Sequence, residues 1–348
     1  MKAFRIYGAY SARYETLPDP EIGADDVLVG VRAVAICGTD LEIYQGTMFY
    51  FTSGLAHYPI IPGHEWSGEV LAIGDDVTNV KVGDKVVGEC TVACGRCEFC
   101  QRGWANQCVN RRETGILNLD GAYADLRVYP AAQLHTFEGL SYEEAALCET
   151  TAISVYAVKL VGTNPSDRVA VLGAGPIGLQ AVQAAKAYGA RQVVVIGGRH
   201  SRRELALQLG ADAAIGDQIA RQVDDLEAEV LRITEGRGFD VIIEATGNPE
   251  VTKILSRIVR PRGRIALVGL FNSQWGSFDL DALVVNNITI YGSLGSPNVW
   301  DETLYLMQSG KIKAEPLITE RHPLAEAEAV LQRIEGRPAD LVKAVLIP

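Results

Sequence analysis

Residues 168–203, RVAVLGAGPIGLQAVQAAKAYGARQVVVIGGRHSRR, constrain the fold more than any other stretch of this chain. Residues 169–172 are a short run of β-branched and aliphatic side chains, the composition of a strand buried on both faces of a parallel sheet. Gly173, Gly175 and Gly178 follow in the order G-x-G-x-x-G. From 177 to 188 the apolar residues recur at helical spacing, and 192–196 reads as a second buried strand. Strand, glycine turn, helix and strand make one βαβ unit. Gly173 permits a tight turn, Gly175 leaves room for a pyrophosphate at the backbone, and Gly178 lets the helix lie close to the strand. The helix start offers unpaired N–H groups and a positive dipole end to the anion. Glycine-rich turns are common, but this one stands between a strand and a helix with a second strand behind it. A dinucleotide site is expected.

At 348 residues the chain is long for one domain and comfortable for two. Hydrophobic residues make up 48% and charged residues 22%, which are globular proportions. The formal charge, 32 − 43 = −11, disfavours nonspecific binding to nucleic acid or to an anionic membrane. No apolar run approaches the roughly 18–20 residues that span a bilayer, and the opening MKAFRIYGAY lacks the apolar core of a secretion signal. A cytoplasmic protein with neither a membrane nor a nucleic-acid partner is expected. The seven cysteines are odd in number and clustered, which in that compartment argues for metal over a disulfide framework.

Before the βαβ unit, short strand candidates at 27–34, 69–73, 85–87 and 124–129 are punctuated by Pro18, Pro20, Pro62, Gly63, Gly83 and Gly121. That pattern reads as a compact, barrel-like β domain with coiled loops. A helix-like run at 145–158 carries Cys148 and Glu149 at its start. Strands are then expected at 169–172, 193–196, 213–215, 240–243, 264–268 and 288–291, with helices at 177–188, 201–209, 219–234 and 249–259. Such alternation is the signature of an α/β doubly wound parallel sheet. A closing strand at 341–347 should return to the first domain, so the expected division is 1–150, 151–292 and 293–348.

Two cysteine features carry metal chemistry. Cys94, Cys97, Cys100 and Cys108 have the spacing C-x2-C-x2-C-x7-C, which can wrap one tetrahedral zinc with no position left for water. An iron–sulfur cluster is the rival use of closely spaced cysteines. Cys90, just upstream, reads as a core thiol. The second feature is dispersed: Cys37-Gly-Thr-Asp40 and Pro62-Gly-His64-Glu65 bring together a thiolate, an imidazole and a carboxylate, all zinc-type donors. His57, His135, His200 and His322 read as ordinary histidines.

GHEWSGEV, the four-cysteine lobe, CGTD and VLGAGPIG, in this order of placement, resemble the zinc-dependent medium-chain dehydrogenase/reductase family. The closer branch is that of the sorbitol, threonine and bacterial secondary-alcohol dehydrogenases, and the resemblance covers essentially the whole chain. It implies a GroES-like catalytic domain, a Rossmann domain, an active site in the cleft between them, and alcohol–ketone interconversion with a nicotinamide cofactor. It also implies two zinc ions per chain. Cys37 and His64 take the places of catalytic-zinc ligands, Glu65 takes the acidic place beside the histidine that in the polyol branch can bind the metal, Glu149 matches a carboxylate that ligates the zinc directly or holds a zinc-bound water, and Cys94, Cys97, Cys100 and Cys108 match the structural-zinc lobe. Cys148 competes with Glu149 for its role, and Thr39 matches the hydroxyl that starts the family's proton relay. Glu42 departs from the family, where histidine is frequent, and is either a solvated side chain or an acidic residue facing the substrate. A small-molecule alcohol or ketone partner and a homodimer or homotetramer are implied, the latter through the sheet edge near 285–291.

The cofactor contacts expected from the same carry-over are Gly173, Gly175, Pro176, Ile177, Gly178, Gly198, Arg199, Arg202, Thr246, Val268, Leu270 and Leu294. After the second strand come Gly197, Gly198 and Arg199, then Arg202 and Arg203. NAD-specific relatives place an acid near Gly197 for the ribose hydroxyls. Its absence, with guanidinium groups that suit a phosphate dianion, favours NADP over NAD. Residues of the loop 46–58, with Trp66, Leu119, Phe271, Trp275 and Trp300, either shape a substrate pocket or pack the core. A zinc-free reductase and a noncatalytic nucleotide-binding protein on the same fold are rivals that intact zinc ligands oppose.

Overall fold

The computed structural model describes residues 1–216, 223–271 and 274–348. The chain gathers into two compact units: Met1–Glu149 with Gly295–Gly310 and Ala314–Pro348, and Thr150–Leu294 with Lys311–Lys313. Among the described residues, no helix is long and apolar enough to cross a membrane.

The second unit is built on six parallel strands, ordered across the sheet Ala213–Ile215, Gln192–Ile196, Arg168–Leu172, Phe239–Glu244, Val259–Leu267 and Thr289–Gly292. In chain order this is 3-2-1-4-5-6, the dinucleotide-binding arrangement, with the glycine turn leaving the central strand. Val169, Ala170, Val171 and Leu172 are wholly buried, as a strand covered on both faces requires. Helix Pro176–Ala187 starts with proline at a position where an N–H would have no intrahelical partner. A Cβ on Gly178 would lie 1.9 Å from the Gly173 carbonyl oxygen, so the helix can approach the turn only because residue 178 has no side chain.

Several boundaries differ from the expectation. The run at 249–259 divides into a 3-10 turn, Pro249–Val251, and a helix, Thr252–Ile258, and Val259 already belongs to the next strand. That strand extends through Pro261 and Gly263, which favoured a loop, by means of a register shift against its neighbour and a left-handed Arg262 (φ 62°). The helix expected at 219–234 is seen as Val223–Ile233, and 219–222 lie outside the described residues. The run at 145–158 is two helices, Tyr142–Ala146 and Cys148–Leu160; the first is opened by a capping box in which the Ser141 hydroxyl accepts from the Glu144 N–H.

In the first unit a seven-stranded, mostly antiparallel sheet runs Leu134–Thr136, Lys85–Gly88, Glu65–Ile73, Asp26–Ala35, Lys343–Ile347, Ile318–Pro323; Leu126–Pro130 also pairs with Asp26–Ala35. Asp26–Ala35 is the hub, since three strands share its edges. Its core includes Phe4, Ile43, Tyr44, Tyr123 and Tyr129. Trp66 lies in that core at 1% exposure, edge-on to Tyr129 and beneath the Arg127 guanidinium, and Trp300 is buried against the His135 ring. Both are core residues; Trp275, by contrast, is 96% exposed. The hairpin Lys2–Gly8/Ser11–Thr16 and the small sheet of Thr91–Val92, Arg112–Thr114 and Asn118–Leu119 were not expected.

Candidate functional site

The sheet of the first unit assembles a site at one end of its hub strand. Across the ladder Ala35 faces Glu65 on one side and Val345 on the other, and the Ile36 N–H donates to the Ala344 carbonyl at 2.9 Å. Cys37, leaving the hub, therefore stands beside the first residue of the Glu65–Ile73 strand and the first residue of Lys343–Ile347. Cys37 also caps helix Gly38–Gln45: its side chain accepts from the Asp40 N–H, and the Cys37 N–H donates to Asp40 Oδ2 at 2.8 Å. This is a capping box with cysteine in the serine position.

One ligand atom each of Cys37, His64 and Glu65 falls within 4.8 Å of the others. His64 is 4% exposed and Glu65 1%. Glu65 Oε2 is buried without a hydrogen-bond partner, an arrangement that is costly unless a cation completes it. Burial lowers the proton affinity of His64, but the neighbouring Cys37 and Asp40 charges outweigh it and raise the pKa well above the usual value. Glu149, 7% exposed, is not in the three-residue cluster. Its carboxyl is nonetheless pushed up to about 7, by burial first; the charges of Glu65 and Asp40 add to the rise, and His64 and Lys343 oppose it. Cys148 is wholly buried, and burial holds its thiol in the neutral form. The Thr39 hydroxyl lies 3.8 Å from Cys37 Sγ.

Two residues of this site escaped the sequence reading. Asp40 is fully buried and accepts from the Cys37 and Gly63 N–H groups and the Tyr123 hydroxyl, at 2.8, 3.1 and 3.2 Å. Its other neighbour is His64 Nδ1 at 3.6 Å, so a carboxylate backs the imidazole. The signal was the C-x-x-D spacing of the cap. The second is Lys343, 4% exposed, whose Nζ donates to Glu65 Oε1 at 2.5 Å. A single lysine inside the apolar run LVKAVLI was its only trace. Cys90 packs on the core and also feels the charges of His64, Glu149, Glu113 and Cys37; burial, the largest influence, raises its thiol pKa. Nearby, Arg111 donates to the Tyr50 hydroxyl and to Glu113, both at 3.0 Å, which gives the loop 46–58 a charged partner.

The four cysteines of the lobe also converge within 4.8 Å. Cys97 Sγ is 3.4 Å from Cys100 Sγ and 3.8 Å from Cys108 Sγ. A tetrahedron of thiolates with bonds of about 2.3 Å has edges of about 3.8 Å, whereas a disulfide needs about 2.05 Å. Backbone N–H groups of Arg96 and Cys97 bring the Cys94 thiol down to about 6, while burial pushes Cys100 up to about 12.

In the second unit the glycine turn is open at Gly175, the cap residue of helix Pro176–Ala187, where a Cβ would meet nothing within 4 Å. Gly198 has φ 91°, and a Cβ there would lie 2.6 Å from Ala174 Cβ. Arg199 caps helix His200–Gln208 and its side chain is exposed. Arg203, by contrast, donates to the Gly198 carbonyl at 2.8 Å and so holds the turn. Thr246 is positioned by the buried Glu244, whose Oε1 accepts from the N–H groups of Thr246 and Gly247 at 2.7 and 3.2 Å. Val268 is 9% and Leu270 66% exposed, and Leu294 follows the sixth strand.

Comparison with known proteins decides the family. The profile of the alcohol dehydrogenase GroES-like domain matches residues 23–139, and that of zinc-binding dehydrogenases matches 176–309. The chain is 35% identical to a sorbitol dehydrogenase of Bacillus subtilis over 356 positions, covering 100% of this chain and 97% of that protein.

The chain belongs to the zinc-dependent medium-chain dehydrogenase/reductase family.

Other relatives of this dehydrogenase agree. An L-threonine 3-dehydrogenase of Bacillus licheniformis is 34% identical over 98% of this chain and 96% of its own length. A Sinorhizobium meliloti structure described as a zinc-binding dehydrogenase bound to NADP superposes with a TM-score of 0.91 at 30% identity, covering 100% of this chain and 99% of that one. The dehydrogenase is thus an oxidoreductase with a GroES-like domain and a Rossmann-type sheet.

Proposed function

We propose that this dehydrogenase interconverts a polar secondary alcohol, of polyol, sugar or cyclitol type, and its ketone by hydride transfer with NADP(H). The observation that carries the reading is the buried Cys37–His64–Glu65 donor cluster, with an unpartnered carboxylate oxygen on Glu65. The residues fit zinc: thiolate, imidazole and carboxylate are its preferred donors. Cys37, His64, Glu149 and Glu65 would hold the catalytic ion, and the four-cysteine lobe a second, structural one. When bound, zinc supplies Lewis acidity that makes an alcohol acidic near neutral pH, and the nicotinamide exchanges the hydride.

The chain's own residues do the rest. Asp40 fixes the His64 ring, as carboxylates behind ligating histidines do. Thr39, whose hydroxyl lies beside Cys37, would take the hydroxyl proton. Gly173, Gly175, Pro176, Ile177 and Gly178 would bind the pyrophosphate at the helix start. Thr246, Val268, Leu270 and Leu294 line the later strand ends, where ligands of open parallel sheets lie. The sorbitol and threonine names of two relatives support a polar substrate. A homodimer or homotetramer is supported by the open edge strand Thr289–Gly292 and by Leu280, Val284 and Val285, exposed by 68%, 73% and 76%.

NADP preference is supported by the lack of an acid at Gly197 and Gly198 and by the exposed Arg199, with Arg202 one turn on. The test is kcat/KM for NADP and NAD in the parent, Arg199→Ala and Arg203→Ala. A charge-assisted bond to a phosphate contributes about 1.5–3 kcal/mol, so Arg199→Ala should cost roughly tenfold to a hundredfold with NADP and little with NAD. Arg203→Ala, which removes the bond to the Gly198 carbonyl, should weaken both cofactors alike. Equal efficiencies in the parent refute the NADP preference.

A further inference from the structure

The parallel sheet of the second unit has two ends, and the glycine turn occupies one of them. At the other end, where the same strands begin, six arginines line an open cleft of about 500 Å³: Arg168, Arg191, Arg237, Arg260, Arg262 and Arg264. Arg168 opens the central strand, Arg191 precedes Gln192–Ile196, Arg237 precedes Phe239–Glu244, and the other three lie on Val259–Leu267. A strand's length, about 15 Å, separates this end of the sheet from the turn. So much positive charge in one place stands out in a chain of net charge −11.

The fold accounts for half of it. Helices Cys148–Leu160, Pro176–Ala187, Val223–Ile233 and Thr252–Ile258 each end just before one of these strands, and helix C-termini attract cations. Arg264 answers that need: it donates to the Val161 and Gly162 carbonyls and to both oxygens of Asp167, all at 2.7 Å. Arg260 pairs with Asp240 and donates to the Pro261 carbonyl at 2.6 Å. Arg168, 5% exposed, pairs with Glu235 at 2.8 Å. Arg191, Arg237 and Arg262 are left over. Among the described residues their exposed side chains make no hydrogen bond or ion pair. Arg237 lends its charge to Asp240 without bonding it, and the free oxygen of Asp240 is taken by the Arg168 N–H at 2.8 Å. Arg262 moreover keeps a charged side chain at a left-handed position, φ 62°, where glycine would be relaxed. Six guanidinium groups against Asp167, Asp240 and Glu235 leave three positive charges facing one cleft uncompensated.

We propose that this cleft is an accessory anion site, separate from the cofactor turn, for a compact trivalent oxyanion: an oligophosphate or a tricarboxylate. Guanidinium forks suit both kinds of oxygen pair, and a cleft of one sign concentrates such ligands. Arg191, Arg237 and Arg262 bind it, while Arg168, Arg260 and Arg264 hold the walls through the pairs they already make.

The test is calorimetric binding of pyrophosphate and of citrate to the purified full chain at low salt, with and without saturating NADP. Both anions chelate zinc, a contribution common to every protein compared. The parent should bind one of them with a Kd below about 1 mM. Arg191→Gln, Arg237→Gln and Arg262→Gln should each weaken binding about threefold, as an exposed charge pair does, and the triple variant roughly thirtyfold. Because the three side chains bond nothing in the fold, the triple variant should melt no lower than the parent. Arg337→Gln, which removes an exposed arginine of the first unit, should bind as the parent does. Tighter binding of pyrophosphate identifies a phosphate ligand, and tighter binding of citrate a carboxylate one. The proposal is overturned if the parent binds neither anion, if the triple variant keeps the parent's Kd or melts well below it, if Arg337→Gln loses as much, or if NADP displaces the anion and so assigns it to the glycine turn.

Discussion

Replacing Glu149 by glutamine tests the site without any substrate. In the metal-free protein the Glu149 carboxyl is held at about 7 against an ordinary 4.5, chiefly by burial, with Glu65 and Asp40 adding to the rise and His64 and Lys343 opposing it. A folded pKa above the unfolded one means that the native state prefers the protonated form. Its contribution is fully present below about 4.5 and is lost as pH rises through about 7. Between about pH 5 and about pH 8 the unfolded chain gives up nearly two more units of proton free energy than the folded one. At 1.36 kcal/mol per unit, stability should fall by on the order of 2 kcal/mol. Urea unfolding of the zinc-stripped parent at the two pH values measures this drop, and Glu149→Gln removes the titrating group. Lys343 stays protonated throughout this window, since burial opposes its ammonium charge but the charges of Glu65 and Cys37 hold it, so the difference between the two slopes reports Glu149 together with its coupling to His64. Adding zinc to the parent should abolish the excess slope, because the ionised carboxylate then meets a cation. A metal-free Glu149→Gln protein with the parent's pH dependence would refute the placement of Glu149 in this buried charge cluster.

Two further outcomes are expected. Cys100→Ser, which removes one of four converging sulfurs, should lower zinc content by one ion per chain and make the lobe around 94–108 a protease-sensitive segment, while cofactor titration stays as in the parent; unchanged metal content rules out the closed four-cysteine site. Gly178→Ala places a Cβ 1.9 Å from the Gly173 carbonyl, so helix and turn must part; roughly 1–3 kcal/mol of stability and at least tenfold in NADP(H) affinity should go, and a parent-like Kd by fluorescence titration would contradict that.

The parallel sheet was legible because its first five strands are apolar runs that alternate with helix-period segments. Residues 213–215 were found to the residue, and four of the other five strands within one position. The longest error, at Val259–Leu267, came where Pro261 and Gly263 argued for a loop; neighbouring strand pairing, which overrides local propensity, carries the chain through. The first unit was less legible. The hairpin at the start, Lys2–Gly8 and Ser11–Thr16, mixes charged and aromatic residues and has no clean period, and Trp66 looked as suited to a pocket wall as to a core.

Residue chemistry that depends on near neighbours in the chain was determined by the sequence alone. The four cysteines of one short lobe, the glycines of one turn and the Cys37–Asp40 cap all act within a few residues, where the geometry of the chain leaves little choice. The relation of Glu65 to Lys343 was decided only by tertiary structure. They are 278 residues apart, and no periodicity connects them. They meet because two strands flank Asp26–Ala35 and each begins at the same end of it. Ladder register is a property of the whole sheet, and it places that buried ion pair beside Cys37 and His64.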